Sequence, residues 1–391
     1  MNSTLQRHET KNGSKSTVEV REVTTKKELK KFVGFPIKLY KDEPNYTPSF
    51  FGDDIEDWDK EKNPAFEFCE GKCFLAYRDG KIVGRIGAIL SHGSNKKWNT
   101  NRMRFSQVDF IDDEEVSSAL FGAVEDWARE KGCDEVHGPL GFSDMDKEGM
   151  LVEGYDRQSM YITYYNHPYY IDHLERLGYE KEVDWIEYKI VFPGKDSRIA
   201  QMSHRVAERM KSHLNLHIAP LNNRKDYYQY IKKAFGLVNK AYSHLYSMVE
   251  VNERQIDRYA KKFIPIINPD FVCFVMDENE NMVGLGVIAP SMTDALKKCD
   301  GKLFPFGFAH VLKALKKHEV MDMYLIAVDP DMRRMGINAI ILDHMVQSGI
   351  KHGVKFAETG PMLETNSNIL EQWKMFDKEQ HKRRRCYLKK I

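Results

Sequence analysis

One pattern of elements occurs twice in this chain, and any fold must accommodate both copies. Cys73-Phe-Leu-Ala-Tyr77, the turn Arg78-Asp-Gly-Lys81 and Ile82-Val-Gly-Arg-Ile-Gly-Ala-Ile-Leu90 predict a β-hairpin, because Asp-Gly between two apolar runs supplies the backbone a tight hairpin turn needs. Phe271-Val-Cys-Phe-Val-Met276, a polar turn at 277–281 and Met282-Val-Gly-Leu-Gly-Val-Ile-Ala289 repeat it. Each hairpin leads to another strand (103–110 and 323–328) and then a helix. In the helix at 114–131, Val116, Leu120, Ala123 and Trp127 share one face; in that at 336–352, Ile337, Ile341 and Met345 do. Short strands ending in Gly138-Pro139 and Gly360-Pro361 follow, then an amphipathic helix and a last strand, at 184–190 and 385–391.

A chain of 391 residues exceeds one ordinary core, so two copies of one α/β unit are expected rather than a single sheet domain. The expected organisation is a polar tail over 1–17, a first domain over 18–192, a linker helix over 193–214 and a second domain over 215–391. Phe192-Pro-Gly-Lys-Asp-Ser197 marks the boundary. Between hairpin and next strand the second copy carries about thirty extra residues, from Ser291 to Val320, longer than usual connections. Its Leu303-Phe-Pro-Phe-Gly-Phe308 run and a helical 311–317 segment predict an ordered, functional insertion.

Lysine plus arginine (59) balance aspartate plus glutamate (58). No global field therefore draws the protein to nucleic acid or to an anionic membrane, and neither partner is expected. The polar N-terminus lacks an apolar signal core, no apolar run spans a bilayer, and six scattered cysteines lack C-x-x-C spacing. A cytoplasmic protein with reduced thiols and no metal is the expectation. Lys382-Arg-Arg-Arg385 reads as a solvated turn into the last strand.

The most informative segment is Leu325-Ile-Ala-Val-Asp-Pro-Asp-Met-Arg-Arg-Met-Gly-Ile-Asn338. A strand ends, Asp329-Pro330 turns the chain, and a helix opens beside Gly336. Unpaired N–H groups at a helix start form an anion site, to which Arg333 and Arg334 add charge. The first copy has Asp112-Asp-Glu-Glu115 at the same place, which would repel a phosphate. Its tyrosines 155, 161, 164, 165, 169 and 170 are expected to pack in core and interface, with a substrate wall between the halves as the functional alternative.

The segment Arg333-Arg-Met-Gly336-Ile-Asn338, following a Val-x-Pro strand end, resembles motif A of the GCN5-related N-acetyltransferase (GNAT) superfamily, with Asn338 where that pattern has Gly or Ala. The resemblance implies an α/β fold of two tandem GNAT-like domains, each a mixed, mostly antiparallel sheet with helices on both faces. It implies coenzyme A, carrying an acetyl or other acyl group, as co-substrate. The pyrophosphate would sit on Arg333, Arg334, Met335, Gly336, Ile337 and Asn338, and the pantetheine arm along Ile326, Ala327 and Val328. Asn366 would stand near that arm or cap the next helix. The implied reaction is N-acylation of a small amine by a monomer or homodimer. Glu358 and Glu364 are the candidate bases, and Tyr324 and Tyr387 the candidate acids. A non-catalytic acyl-CoA sensor and a Fem-type aminoacyl or peptidyl transferase are the alternatives.

Overall fold

The computed structural model describes residues 17–391, and the polar segment before Thr17 lies outside the described residues. The first half supplies strands β1 (Glu19–Glu22), β2 (Cys69–Arg78), β3 (Lys81–Ser91), β4 (Arg102–Phe110), β5 (Glu135–Gly138), β6 (Met150–Glu153) and β7 (Glu180–Val191). The second supplies β8 (His217–Ile218), β9 (Val272–Met276), β10 (Met282–Pro290), β11 (Val320–Val328), β12 (Phe356–Thr359), β13 (Met362–Leu363) and β14 (Lys378–Lys390). Both predicted hairpins form, as β2–β3 and β9–β10. The predicted helices appear as Glu114–Glu130, Arg198–Leu214 and Ile337–His352.

The fold is the expected mixed α/β one, with a mostly antiparallel sheet, but its strands run on as a single surface. The order is β1-β2-β3-β4-β5-β14-β7-β12-β11-β10-β9-β8. The closing strands are exchanged. The last strand of the second half, β14, lies against β5, while the last strand of the first half, β7, lies against β12. The two then pair antiparallel with each other at the centre. The sequence pattern assigned each closing strand to its own copy. Apolar periodicity decides that a segment is a strand, whereas the choice between two similar neighbours rests on contacts distant in sequence.

Charge contributes to that choice. On β14, Lys382 and Arg384 are buried, which corrects the reading of 382–385 as a solvated turn. Glu187 on β7 receives the Arg384 guanidinium, and Lys382 Nζ lies 3.3 Å from the same carboxylate. Burial opposes ionisation of Glu187, yet Arg384 and Lys382 together hold its carboxyl below the usual range. Asp184 likewise pairs with Arg383 and Arg385. Charges this deep in a sheet need partners in register, so the acidic strand and the basic strand fix each other.

Candidate active site

β11 and β12 run parallel only from Val320 opposite Phe356 to Met323 opposite Thr359. Opposite β10 the register skips Tyr324, since Val287 faces Leu325 while Ile288 faces Met323. Such a bulge bends its strand, and beyond it β11 parts from β12. A cavity of about 890 Å³ opens in the gap, lined by residues 323–328 on one side and 359–363 on the other. Along the open edge, the carbonyl of Ile326 accepts a hydrogen bond from the Tyr242 hydroxyl at 2.9 Å.

At the far end of β11 the cavity reaches Arg333, Arg334, Gly336, Ile337 and Asn338. Gly336 stands before the helix with φ +84°, and no side chain caps that terminus. Left-handed backbone here suits glycine, and the uncapped first-turn amides form a concave donor set beside the positive end of the helix dipole. Arg334 is exposed at the rim, while Arg333 is tied back to the Ala241 carbonyl at 3.1 Å. Arg333 thus anchors the end of the helix Tyr227–Tyr242 to the loop as well as adding charge. The donor set fits the pyrophosphate of a nucleotide.

Part of the cavity is an apolar chamber. Ile231, Ala234 and Val238 of the helix Tyr227–Tyr242, and Ala260 and Phe263 of the helix Glu253–Phe263, form its wall; Leu285 and Val287 of β10 lie opposite. Sequence reading singled out neither helix. Their apolar residues recur at core spacing, and periodicity does not distinguish a face that packs on neighbours from one that borders a void.

The first half contributes three carboxylates to the same cavity, from a loop following β5: Asp144, Asp146 and Glu148. Asp144 has a buried, unpartnered Oδ1, and burial raises its pKa to about 6. Asp146 also rises to about 6 through burial and the nearby Asp57, while its Oδ2 accepts from the amides of Phe142 (2.9 Å) and Ser143 (3.1 Å). Burial, with Asp144 beside it, raises Glu148 well above the carboxylate range. His244 is held below the usual imidazole range by burial and Arg333, and also lines the cavity. Sequence reading missed all four. The available signal was Asp144-x-Asp146-x-Glu148 just after the Gly138-Pro139 strand end.

The candidate residues fall into two sets. Ile326, Ala327, Val328, Arg333, Arg334, Gly336, Ile337, Asn338, Asn366 and Tyr324 all line the cavity. Asn366 also caps its helix by accepting from the Ile369 amide, so its two readings coexist. Tyr324 donates to the Tyr161 hydroxyl at 3.2 Å, an inter-half contact, and burial followed by Tyr161 raises its pKa well above the phenolic range. Met335 is exposed and does not line the cavity. Glu358 lies 3.2 Å from Lys382, and Glu364 pairs with Lys181 and Arg383. Neither glutamate lines the cavity. Tyr387 is buried in the first-half core, because the strand exchange carries it there.

The equivalent cleft of the first half is filled from within. β4 and β5 pair only from Arg102–Glu135 to Arg104–His137. The freed edge is satisfied by tyrosines: the Phe110 amide donates to the Tyr170 hydroxyl (2.8 Å), and the Tyr169 hydroxyl donates to the Phe110 carbonyl (2.5 Å). Asp113 caps the following helix and is paired with Arg78. The helix start that matches Gly336 in element order is thus held by the protein's own carboxylate. Calorimetry is expected to give one coenzyme A per chain; two equivalent sites would contradict this accounting.

No family model matches the chain. Over 378 residues it is 25% identical to Protein YghO of Escherichia coli, covering 95% of each chain. Over 296 residues it is 30% identical to the bacterial ceramide synthase of Caulobacter vibrioides, covering 75% of each. Among solved structures it resembles a tandem GNAT protein from the clavulanic acid biosynthesis pathway, with a TM-score of 0.55, 10% identity and coverage of 95% and 98%. A GCN5-related N-acetyltransferase from Sphaerobacter thermophilus gives a TM-score of 0.50 at 10% identity, covering 95% of each. A duplicated fold with a splayed strand pair leading to an uncapped helix start defines a tandem GNAT-fold protein. Within that class, the chain belongs to the family of the bacterial ceramide synthase.

Proposed function

We propose that this protein transfers a long-chain acyl group from coenzyme A to the amine of a long-chain amino alcohol, as a ceramide-forming N-acyltransferase. The observation that carries this reading is continuity: one cavity of about 890 Å³ joins the anion loop, the strand splay and the apolar chamber. An acetyl group would leave such a chamber empty, whereas a hydrocarbon chain has a use for every apolar wall. The related ceramide synthase has a product, ceramide, with two such chains on one amide. That favours long chains over the acetyl donor and small amine expected from sequence.

The bound co-substrate supplies the acyl group as a thioester. Around it, the amides of Gly336 to Asn338 and Arg334 hold phosphate, and the free edge of β11 orients the arm. Asp144 faces the same space from the first half. An ionised carboxylate there attracts the acceptor's ammonium and takes a proton from it, leaving the neutral amine to attack the thioester carbonyl. As the C–N bond forms the C–S bond breaks, and the proton the nitrogen then sheds ends on the departing sulfur, which leaves as the free thiol of coenzyme A. Tyr242, fixed on Ile326, and Tyr324 line the passage between loop and chamber and exclude water from it.

The test is an acyl-CoA series presented with a long-chain amino alcohol, products being read by mass spectrometry. Turnover is expected with long chains and to be poor with acetyl-CoA; acetyl transfer to small amines alone would overturn the reading. Ala260→Phe places a ring in the chamber wall. It is expected to shift the preferred acyl length toward shorter chains while sparing the shortest donors, since filling a void strains the fold less than overpacking a full core. An unchanged length profile would mean that the chamber holds something other than the acyl chain.

A further inference from the structure

The excursion between β10 and β11 has two unlike sides. Inward, Ala295, Leu296 and Val311 are buried in the same apolar cluster as the chamber walls, with Leu303, Ala314 and Leu315 packed against it. Its turn is fastened to the first half: the Gly301 carbonyl accepts from the Phe51 amide at 2.9 Å, and a Cβ at Gly301 would collide with the Ser49 carbonyl. The insertion is therefore held by both halves and ordered, with helices at Thr293–Lys298 and Gly307–Ala314.

Outward, it is uncovered. Phe304 is 82% exposed, Phe306 77%, Leu312 56% and Phe308 46%. All the strongly exposed phenylalanines among the described residues lie within these few positions. Phe304 and Phe308 stand 6.5 Å apart, ring centre to ring centre, and Leu312 continues along the helix one turn on. A clustered apolar patch marks an interaction surface. The charge around it is net basic: the excursion from Ser291 to Val320 holds six lysines against Asp294, Asp300 and Glu319, the last paired with Lys317, in a chain that is otherwise balanced. Lys298, Lys302, Lys313, Lys316 and Lys317 are exposed.

We propose that this insertion is a membrane-docking element that seats on an anionic phospholipid surface. Aromatic rings enter the boundary between headgroups and acyl chains, while lysines at the rim meet lipid phosphates, the pairing that holds interfacial helices to one leaflet. Two copies of this chain meeting at the patch would set lysine rim against lysine rim, which disfavours self-association as the occupant. No described helix is long and apolar enough to cross a membrane, so attachment is to the surface. This departs from the expectation of no membrane contact, because an overall balance of charge hides a local basic surface. If the lipid-substrate reading above holds, docking also brings the chamber's wall to the phase where long-chain substrates reside.

Co-sedimentation of the full chain with phosphatidylcholine vesicles, with and without phosphatidylglycerol, tests this. Wild type is expected to bind the anionic vesicles. The double variant Phe304→Ser/Phe306→Ser should bind them at least about tenfold more weakly, two exposed rings having lost their apolar contact. Lys313→Gln, Lys316→Gln and Lys317→Gln should each weaken anionic binding roughly fivefold and fade in high salt. All five residues are exposed, so melting temperatures should stay at the wild-type value. Absence of wild-type binding, equal binding by the variants, or a wild-type dimer that the phenylalanine variant makes monomeric would each overturn the proposal. Vesicle binding without N-acylation of any long-chain amine sustains the docking surface and counts against the substrate reading alone. Long-chain turnover in detergent with no vesicle binding does the reverse.

Discussion

Gly336→Asp is expected to abolish coenzyme A binding, lowering affinity by about a thousandfold or more in calorimetry at low salt. Two terms add. A side chain at φ +84° adopts left-handed backbone, which costs roughly 1–2 kcal/mol for an L-residue and less for aspartate or asparagine. The carboxylate then faces the pyrophosphate across a few ångströms, and like charges about 4 Å apart at an effective dielectric near 20 repel by about 4 kcal/mol. Gly336→Asn separates the terms, because it keeps the backbone demand and drops the charge. It should retain most of the affinity the aspartate variant loses. Met210 is the flexible neighbour nearest an added Cβ, at 2.9 Å, so steric exclusion is a minor contribution. If the aspartate variant binds as wild type does, the pyrophosphate lies elsewhere.

Asp144→Asn is expected to cut turnover by about 10² to 10⁴, the usual worth of a general base, with coenzyme A affinity unchanged. The change preserves shape and removes only the proton acceptor. Burial places the pKa of Asp144 at about 6, so the carboxylate is ionised above that pH and protonated below it. Turnover per free enzyme should therefore rise with pH through about 6 and level above it. The asparagine variant should lack that limb. Glu364→Gln, whose partners are Lys181 and Arg383 outside the cavity, should stay near wild type. Wild-type turnover in Asp144→Asn would remove it as the base and turn attention to His244, whose imidazole is held below its usual range by partial burial and Arg333.

The carboxylates exemplify a general division within this chain. The loop proposed to hold phosphate was legible as a turn and helix start because one short segment carries the whole device. Strand end, Pro turn, Gly336 and helix start are neighbours in sequence, and each does its work through local backbone geometry. Both hairpins and the main helices were legible for the same reason: period and turn chemistry act over a few residues. Even the carboxylate cap at the matching helix start of the first half could be anticipated from Asp112 to Glu115, since capping carboxylates act on their own helix.

Tertiary structure alone decided the rest. Tyr387 and the run from Lys382 to Arg385 have strand periodicity, but only the exchange of β14 and β7 places the tyrosine in the first-half core and the basic residues opposite Glu187 and Asp184. Glu358 stood on the expected strand, yet a lysine from β14 occupies it. Asp144, more than 170 residues before the loop that borders the same cavity, reaches it because the halves close on each other. Sequence determines which segments become strands and helices, because those preferences are spent within a few residues. Which strand neighbours which, which apolar face borders a void and which carboxylate stays unpaired depend on the joint packing of distant segments, and that is settled only when the whole chain has closed.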